Sequence, residues 1–241
     1  MTIMSVAAPL LQIDVDTDEL AKVLLPLGIV FVGILISVSI FLYQRKKAKE
    51  RMQAMKMVAG QLGWAFAPKA PLNMISGLDR FALFNQGHGK QIVNFMYGQA
   101  SGIKAAVFDY IYVIGYGRNR QVHRQSVVYL EPPNLALPYF SLRPENFFLK
   151  IATAFGYQDI DFGQRPEFSR RYILRGQDET SIRRTFNDAL LVFYETYTGT
   201  CTDAGGNQLF VFRGNHRFQP NETQSFVTQA LNVLNLVPKF S

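Results

Sequence analysis

The chain has 241 residues, a formal net charge of +7, 48% hydrophobic residues and 18% charged residues. This composition excludes a disordered chain and a coiled-coil rod. The single cysteine, Cys201, excludes a disulfide framework and a thiolate-rich metal site. An excess of basic residues is typical of proteins that bind nucleic acids, so the position of these charges along the chain is the first question.

The N-terminal part contains a long apolar segment. Residues 23–43 read VLLPLGIVFVGILISVSIFLY and include no charged residue. A helix of this length extends about 31 Å and covers a hydrocarbon core of roughly 30 Å. Pro26 falls in the first turn, where its missing N–H costs little. We predict one transmembrane helix at 23–43, and an uncleaved one, because a signal peptide begins with basic residues whereas the residues before this segment are acidic.

The charges on either side of the segment predict its orientation. Residues 1–22 contain four acidic residues and one basic residue, whereas residues 44–56 contain six basic residues and one acidic residue. Basic flanks stay in the cytoplasm, so we expect a short extracytoplasmic tail at 1–22 and a cytoplasmic C-terminal part, in a cell inner membrane or plasma membrane. We expect contact with the lipid bilayer and its anionic headgroups from Arg45, Lys46, Lys47, Lys49 and Arg51. Since this stretch explains most of the basicity, nucleic acid is not favoured as a partner.

Two features of the N-terminal part bear on self-association. Gly33 and Ser37 have the small-xxx-small spacing that allows two membrane helices to approach closely, so a homodimer through this face is one possibility. The basic flank opens a second predicted helix at 44–63, which ends at Gly63. Its apolar seam indicates packing on its own domain, with self-association as the alternative, and consists of Ala48, Met52, Met55, Ala59 and Leu62.

The remainder, 64–241, is predicted to be one α+β domain with an antiparallel sheet and three or more helices, because strand patterns come first and helices follow. The predicted strands, rich in β-branched and aromatic residues, are Trp64–Ala67, Phe81–Phe84, Gln91–Tyr97, Ile103–Ile114, Val122–Leu130, Tyr172–Leu174 and Asn207–Phe212. Three helices are predicted. The first begins at Leu142-Arg143-Pro144-Glu145, and its apolar face consists of Phe147, Phe148, Ile151 and Phe155. The second is capped by Asp178 and has Ile182, Phe186, Ala189 and Phe193 on its core face, and the third covers 221–236.

Motifs with an established chemistry are absent from the sequence. There is no GxxxxGK[ST] phosphate-binding loop, no GxSxG nucleophile elbow and no HExxH zinc motif. The three histidines are far apart, and none has a His or Cys at the spacing of a helix face. We therefore predict no metal, no cofactor and no catalytic residue that the sequence can name.

Asp109 is the strongest candidate for a binding residue. It lies in the strand 103–114 on the same face as Val107 and Ile111, since side chains alternate along a strand. A carboxylate on an apolar face must be paired or have a raised pKa. If odd positions pair with even positions in the hairpin, Arg124 and Ser126 share its face. If odd positions pair with odd positions, His123 and Gln125 share that face instead.

Several longer motifs accompany these candidates: Phe108-Asp109-Tyr110, His123-Arg124-Gln125, LPYFSLRPE at 137–145, FGYQDIDF at 155–162 and PEFSRRYILRG at 166–176. Together they resemble a group of uncharacterised bacterial proteins with one N-terminal span and a soluble domain, over roughly residues 50–200. The resemblance implies a membrane location and shared ancestry, but no activity, cofactor or catalytic residue. That group usually has Thr before the histidine, where this chain has Val122, which weakens the case for a hydrogen-bonded site at His123.

These observations favour a single-pass membrane protein whose domain is a non-enzymatic binding or scaffold module at the cytoplasmic face. The candidate binding residues are Asp109, His123, Arg124 and Arg143. The alternative is a membrane-tethered hydrolase or ligand-processing enzyme that uses the Asp109, His123 and Arg124 region. It requires these side chains to converge on one cleft.

Overall fold

The computed structural model describes residues 17–145 and 159–238, and the chain forms two compact units, 1–50 and 51–241. The first helix, α1 (Thr17–Gln61), contributes residues to both units. The predicted transmembrane and juxtamembrane helices are therefore one continuous helix.

The described part of the first unit is α1 from Thr17 to Glu50, which contains the apolar segment. Its large hydrophobic side chains between Leu24 and Tyr43 are about half exposed or more, so they have no protein core to pack in. Within the described residues, one helix is long and apolar enough to cross a membrane. The Ser37 hydroxyl donates a hydrogen bond to the Gly33 carbonyl of the same helix, at 2.8 Å. A homodimer through these two residues stays a prediction.

The second unit contains one eight-stranded antiparallel sheet, so the α+β prediction is confirmed. In spatial order the strands are β1-β2-β3-β4-β8-β7-β5-β6. Their bounds are β1 (Ala65–Ala70), β2 (His88–Ala100), β3 (Ile103–Ile114), β4 (Gln121–Glu131), β5 (Leu137–Pro144), β6 (Tyr172–Gly176), β7 (Thr200–Gly206) and β8 (Gln208–Arg213).

Both faces of the sheet are covered. Helices contribute to the larger core on one face: α2 (Pro166–Arg171), α3 (Glu179–Thr185), α4 (Asp188–Thr196), α5 (Thr223–Leu236) and the last turns of α1. Short 3₁₀ turns within 72–85 cover the other face, where aromatic side chains form a second core. We call these the helix face and the loop face.

The C-terminal end of α1 packs on its own domain, as the seam predicts. Met55 and Ala59 are completely buried in the core of the helix face. Gly63 follows the helix with φ +68°, the left-handed conformation that favours glycine after a helix. Trp64 then packs against Gly98, and its indole N–H donates to the Gln99 carbonyl at 3.1 Å.

One predicted strand near the loop face is wrong, and one predicted helix begins later than expected. The segment Phe81–Phe84 is not a strand, because the Leu83 N–H donates to the Asp203 carboxylate and its backbone forms a 3₁₀ turn over Ala82–Asn85. Leu142 to Pro144 end strand β5, which is paired with β6 and β7, so the helical conformation begins only at Glu145. The apolar residues predicted for that helix, Phe147, Phe148, Ile151 and Phe155, lie outside the described residues.

The single helix predicted after Asp178 is two helices. Asp178 caps α3 by accepting from the Ser181 N–H, as predicted, but Asn187 caps a new helix by accepting from the Leu190 N–H. The Asn187 side chain also donates to the Leu236 carbonyl, which fixes the junction against α5. The break shifts the helical face, so Ala189 is exposed and Leu190 is buried.

Candidate functional site

The register of the β3–β4 hairpin decides which side chains share a face with Asp109. Asp109 pairs with Ser126, Ile111 with Arg124 and Tyr112 with His123. Odd positions therefore pair with even positions, so Arg124 and Ser126 lie on the face of Asp109. The other register is wrong, and His123 lies on the opposite face of the sheet.

Asp109 is completely buried and is bound by an arginine from α1. The Arg51 Nε donates to Asp109 Oδ2 at 2.7 Å, and Arg51 Nη2 donates to Oδ1 at 2.8 Å. The same guanidinium donates to Ser126 Oγ at 3.1 Å and to the Phe218 carbonyl at 2.9 Å. The Arg51 side chain is only 13% exposed.

Two further donors complete the surroundings of this carboxylate. Ser126 Oγ donates to Asp109 Oδ1 at 2.7 Å, and Asn94 Nδ2 donates to Oδ2 at 2.8 Å. Asn94 has φ +52° at an irregularity of β2 between Val93 and Met96, and such bulges re-aim a side chain. Four donors on one carboxylate satisfy its charge inside the protein, which is the arrangement of a structural ion pair.

This geometry corrects the role predicted for Arg51. We expected its side chain at the membrane surface with Arg45, Lys46, Lys47 and Lys49, but its guanidinium is buried against Asp109. The other charges lie in the first unit and make contacts along their own helix. Arg45 lies over the Phe41 ring at 4.4 Å and Lys47 over the Tyr43 ring at 5.3 Å. Their contact with lipid headgroups stays a prediction.

Arg143 forms a second buried pair, on the loop face. Its Nη2 donates to the Asp203 carboxylate at 2.8 Å, and its guanidinium carbon lies 4.7 Å from the centre of the Phe212 ring. The Leu83 N–H donates to the same carboxylate at 2.7 Å. This pair joins β5, β7 and the 3₁₀ turn above them, so Arg143 has a structural role like that of Arg51.

His123 is buried on the loop face beside aromatic side chains. Its ring stacks on Tyr112 with the ring centres 5.0 Å apart. Burial raises the pKa of Tyr112 to about 12, and its hydroxyl donates to Gln86 Oε1 at 3.2 Å. Burial also raises the pKa of the Cys201 thiol, on the same face, to about 11. At neutral pH this thiol is protonated, which is the unreactive form.

The four predicted binding residues therefore do not converge. Asp109 and the exposed Arg124 lie on the helix face, whereas His123 and Arg143 are buried on the loop face. An open surface cavity of about 460 Å³ is lined by other residues, among them Tyr139, Ser181 and Arg184. Within 17–145 and 159–238, no three His, Cys, Asp or Glu side chains are grouped as metal ligands.

The partners Arg51 and Asp203 could not be identified from local sequence patterns. Arg51 is one of six basic residues within 44–56 that membrane topology already explains, so its separate role is hidden. Asp203 follows Thr202 in a strand that was not predicted at all. Among the residues that bind Asp109, Ser126 was predicted to lie on its face, in one of the two hairpin registers.

No family model matches the sequence, and no curated protein matches it. Among solved structures, the chain is similar to the crystal structure of the mycobacterial trehalose monomycolate transport factor A, TtfA. The TM-score is 0.54 at 12% sequence identity, over 79% of this chain and 97% of that chain. At this identity the similarity establishes a common fold.

Proposed function

We propose that this chain is a membrane-anchored binding or scaffold module without catalytic activity, with its domain at the cytoplasmic face of the membrane. The Arg51–Asp109 pair carries the proposal. The pair lies on α1, the helix that also contains the apolar segment, and the last turns of α1 contribute Met55 and Ala59 to the core of the domain.

The use of the buried polar groups supports a role without catalysis. Asp109 and Asp203 are the carboxylates placed deepest in the sheet, and each is neutralised by an arginine. Asp109 and His123, which a hydrolase would have to combine, lie on opposite faces. We therefore do not propose the enzyme alternative.

The structural neighbour supports a more specific form of the proposal. TtfA is described as a factor for the transport of trehalose monomycolate. A common fold and a membrane-capable helix in this chain are compatible with an accessory role in transport at the membrane. The substrate of the neighbour does not transfer at this level of identity.

A turnover assay tests the absence of catalysis. The full-length chain in nanodiscs is incubated with an extract of small molecules and lipids from its host, and the mixture is followed by mass spectrometry. We expect compounds to be retained in at most stoichiometric amounts and none to be converted. Conversion that continues over time and is absent with empty nanodiscs would overturn the proposal, and its loss in the His123→Asn or Arg124→Gln variant would favour the enzyme alternative.

A further inference from the structure

One end of the sheet carries a concentration of exposed arginines. At this end, which we call the tip end, β3 and β4 are joined by the loop Gly115–Arg120. Arg118 and Arg120 are exposed in the loop, and Arg124 is exposed on β4. Arg217 is exposed in the segment after β8.

Backbone contacts place Arg217 beside Arg124. The Arg124 N–H donates to Asn215 Oδ1 at 3.1 Å, and the Ser126 N–H donates to the His216 carbonyl at 3.0 Å. Residues 215–217 therefore run along the first half of β4, where β8 no longer pairs with it. The next carbonyl, that of Phe218, accepts from Arg51.

The positive charge at the tip end is not neutralised by the protein. Within the described parts of the chain, none of the guanidinium groups of Arg118, Arg120, Arg124 and Arg217 forms an ion pair. The nearby carboxylate of Asp109 is bound by Arg51. That of Glu222 accepts from the Gln219 N–H and keeps its negative charge. Even when Glu222 is counted, the four arginines leave an excess of about three positive charges at the tip end.

The Arg217 guanidinium lies among charged groups. Desolvation is the main cause that lowers its pKa, the charge of Asp109 raises it, and the charges of Arg51 and Arg124 lower it. Like charges held close together are stabilised by an anion between them. Guanidinium groups bind phosphate through paired N–H donors, so a phosphate is the best-matched anion.

Within the second unit, α1 runs toward the tip end in the direction of its N-terminus. Trp64 contacts Gln99 at the end of β2 opposite the tip end, whereas Arg51 contacts Asp109 nearer to it. Going back along α1 from Gln61 to Arg51, the helix therefore advances toward the tip end. Arg51 follows Tyr43, the end of the apolar segment, by eight positions in the sequence. The tip end and the apolar segment are thus connected by a short stretch of chain.

We propose that the tip end is a docking surface for anionic phospholipid headgroups, whose phosphates are bound by Arg118, Arg120, Arg124 and Arg217. Tyr116 supports this assignment: it is 77% exposed at the tip and stacks on His88 with ring centres 4.4 Å apart. An amphipathic aromatic ring beside cationic groups is typical of the membrane interface. The inference rests on the membrane-anchored position proposed above.

Fluorescence quenching in nanodiscs tests the docking. A dye on an Asn119→Cys variant of the full-length chain reports the tip, because the natural Cys201 is buried. Headgroup-labelled nitroxide lipid is included in discs of phosphatidylcholine, with or without phosphatidylglycerol. We expect stronger quenching with phosphatidylglycerol and a loss of this difference at high salt. Each arginine near an anionic surface contributes about fivefold to the affinity for it. We therefore expect the difference to disappear in a variant in which four arginines are replaced by glutamine: Arg118, Arg120, Arg124 and Arg217.

A charge-matched variant provides the control. This variant replaces four arginines of α2 and α3 by glutamine and should leave the quenching unchanged. The replaced residues are Arg170, Arg171, Arg183 and Arg184. Equal quenching in both lipid compositions, or equal loss in both variants, would overturn the docking proposal. So would binding of a short oligonucleotide that depends on the tip arginines when quenching does not. Release of the whole chain from membranes by alkaline carbonate would instead contradict the anchor itself, so the two failures are distinguishable.

Discussion

Asp109 and Asp203 are buried carboxylates on opposite faces of one sheet, and each is bound by an arginine from an element distant in sequence. Removing a charge from water is costly, and the cost is repaid only with good geometry and further hydrogen bonds. Asp109 receives four hydrogen bonds, and Asp203 receives hydrogen bonds from the Arg143 guanidinium and the Leu83 N–H. Because a one-residue slip of a strand moves its side chains to the other face, each pair also favours a single register.

We predict that Arg51→Met destabilises the domain by about 3–5 kcal/mol, because the Asp109 carboxylate is left buried without its cation. Unfolding of the full-length chain in detergent by urea, followed through the fluorescence of the single Trp64, measures the change. The partner substitution Asp109→Asn should have a cost of similar size, since it leaves the Arg51 guanidinium facing a neutral amide.

The double variant separates the ion pair from packing. Arg51→Met with Asp109→Asn removes both charges and keeps an amide oxygen that accepts from Ser126 or Asn94. We expect it to recover a large part of the stability lost in either single variant. Strictly additive losses would contradict a direct pair.

Helices and strands with a continuous local pattern of apolar residues could be predicted from the sequence. The bounds of β3 were predicted as Ile103–Ile114 and are those of the structure, because its apolar and β-branched run is continuous. The burial of Met55 and Ala59 also followed from helical spacing. Strand β7 (Thr200–Gly206) was missed, since its aspartate, alanine and glycines have weak strand preference and the strand is held by pairing with β5 and β8.

The candidate site was less predictable than the fold, because its geometry depends on long-range pairing. Asp109 was identified as a buried carboxylate that needs a partner, from its position on an apolar face. The identity of that partner depends on where α1 packs, 58 residues away in sequence. Local periodicity carries no information about such a contact, nor about the hairpin register that separates Asp109 from His123.

At the scale of elements, the contact between Trp64 and Gly98 joins the end of α1 to β2. A Cβ at Gly98 would lie 2.4 Å from an atom of the Trp64 ring. We predict that Gly98→Ala displaces the ring, shifts its fluorescence to longer wavelength and lowers stability by about 1–3 kcal/mol. Emission spectra and urea unfolding of the full-length chain measure both effects.

Gly60→Ala is the matched control, since it makes the same chemical change in α1, four residues before Trp64. A Cβ there has no atom within 4 Å, and the residue lies inside α1. Alanine is the better helix former, so this variant should gain up to about 1 kcal/mol. Destabilisation by both substitutions to the same extent would mean that Trp64 does not fix this junction.

Along the whole chain, acidic residues precede the apolar segment 23–43 and basic residues follow it. Four acidic residues precede it and six basic residues follow within 44–56. The domain adds the exposed arginines of its tip end. One of the six, Arg51, is used inside the domain, so five basic residues remain available to lipid on that side. Five are still sufficient for the positive-inside rule, which counts basic residues close to the segment.

This distribution predicts that the N-terminus lies outside and the domain inside. The only natural cysteine, Cys201, is completely buried and its pKa is raised to about 11, so it gives little background in a maleimide reaction. In intact cells, a membrane-impermeant maleimide should label a Ser5→Cys variant and leave a Thr180→Cys variant unlabelled, although Thr180 is exposed on α3. Permeabilised cells should show labelling of both, with the unsubstituted chain as the blank. Labelling of Thr180→Cys before permeabilisation would place the domain outside and remove the cytoplasmic assignment.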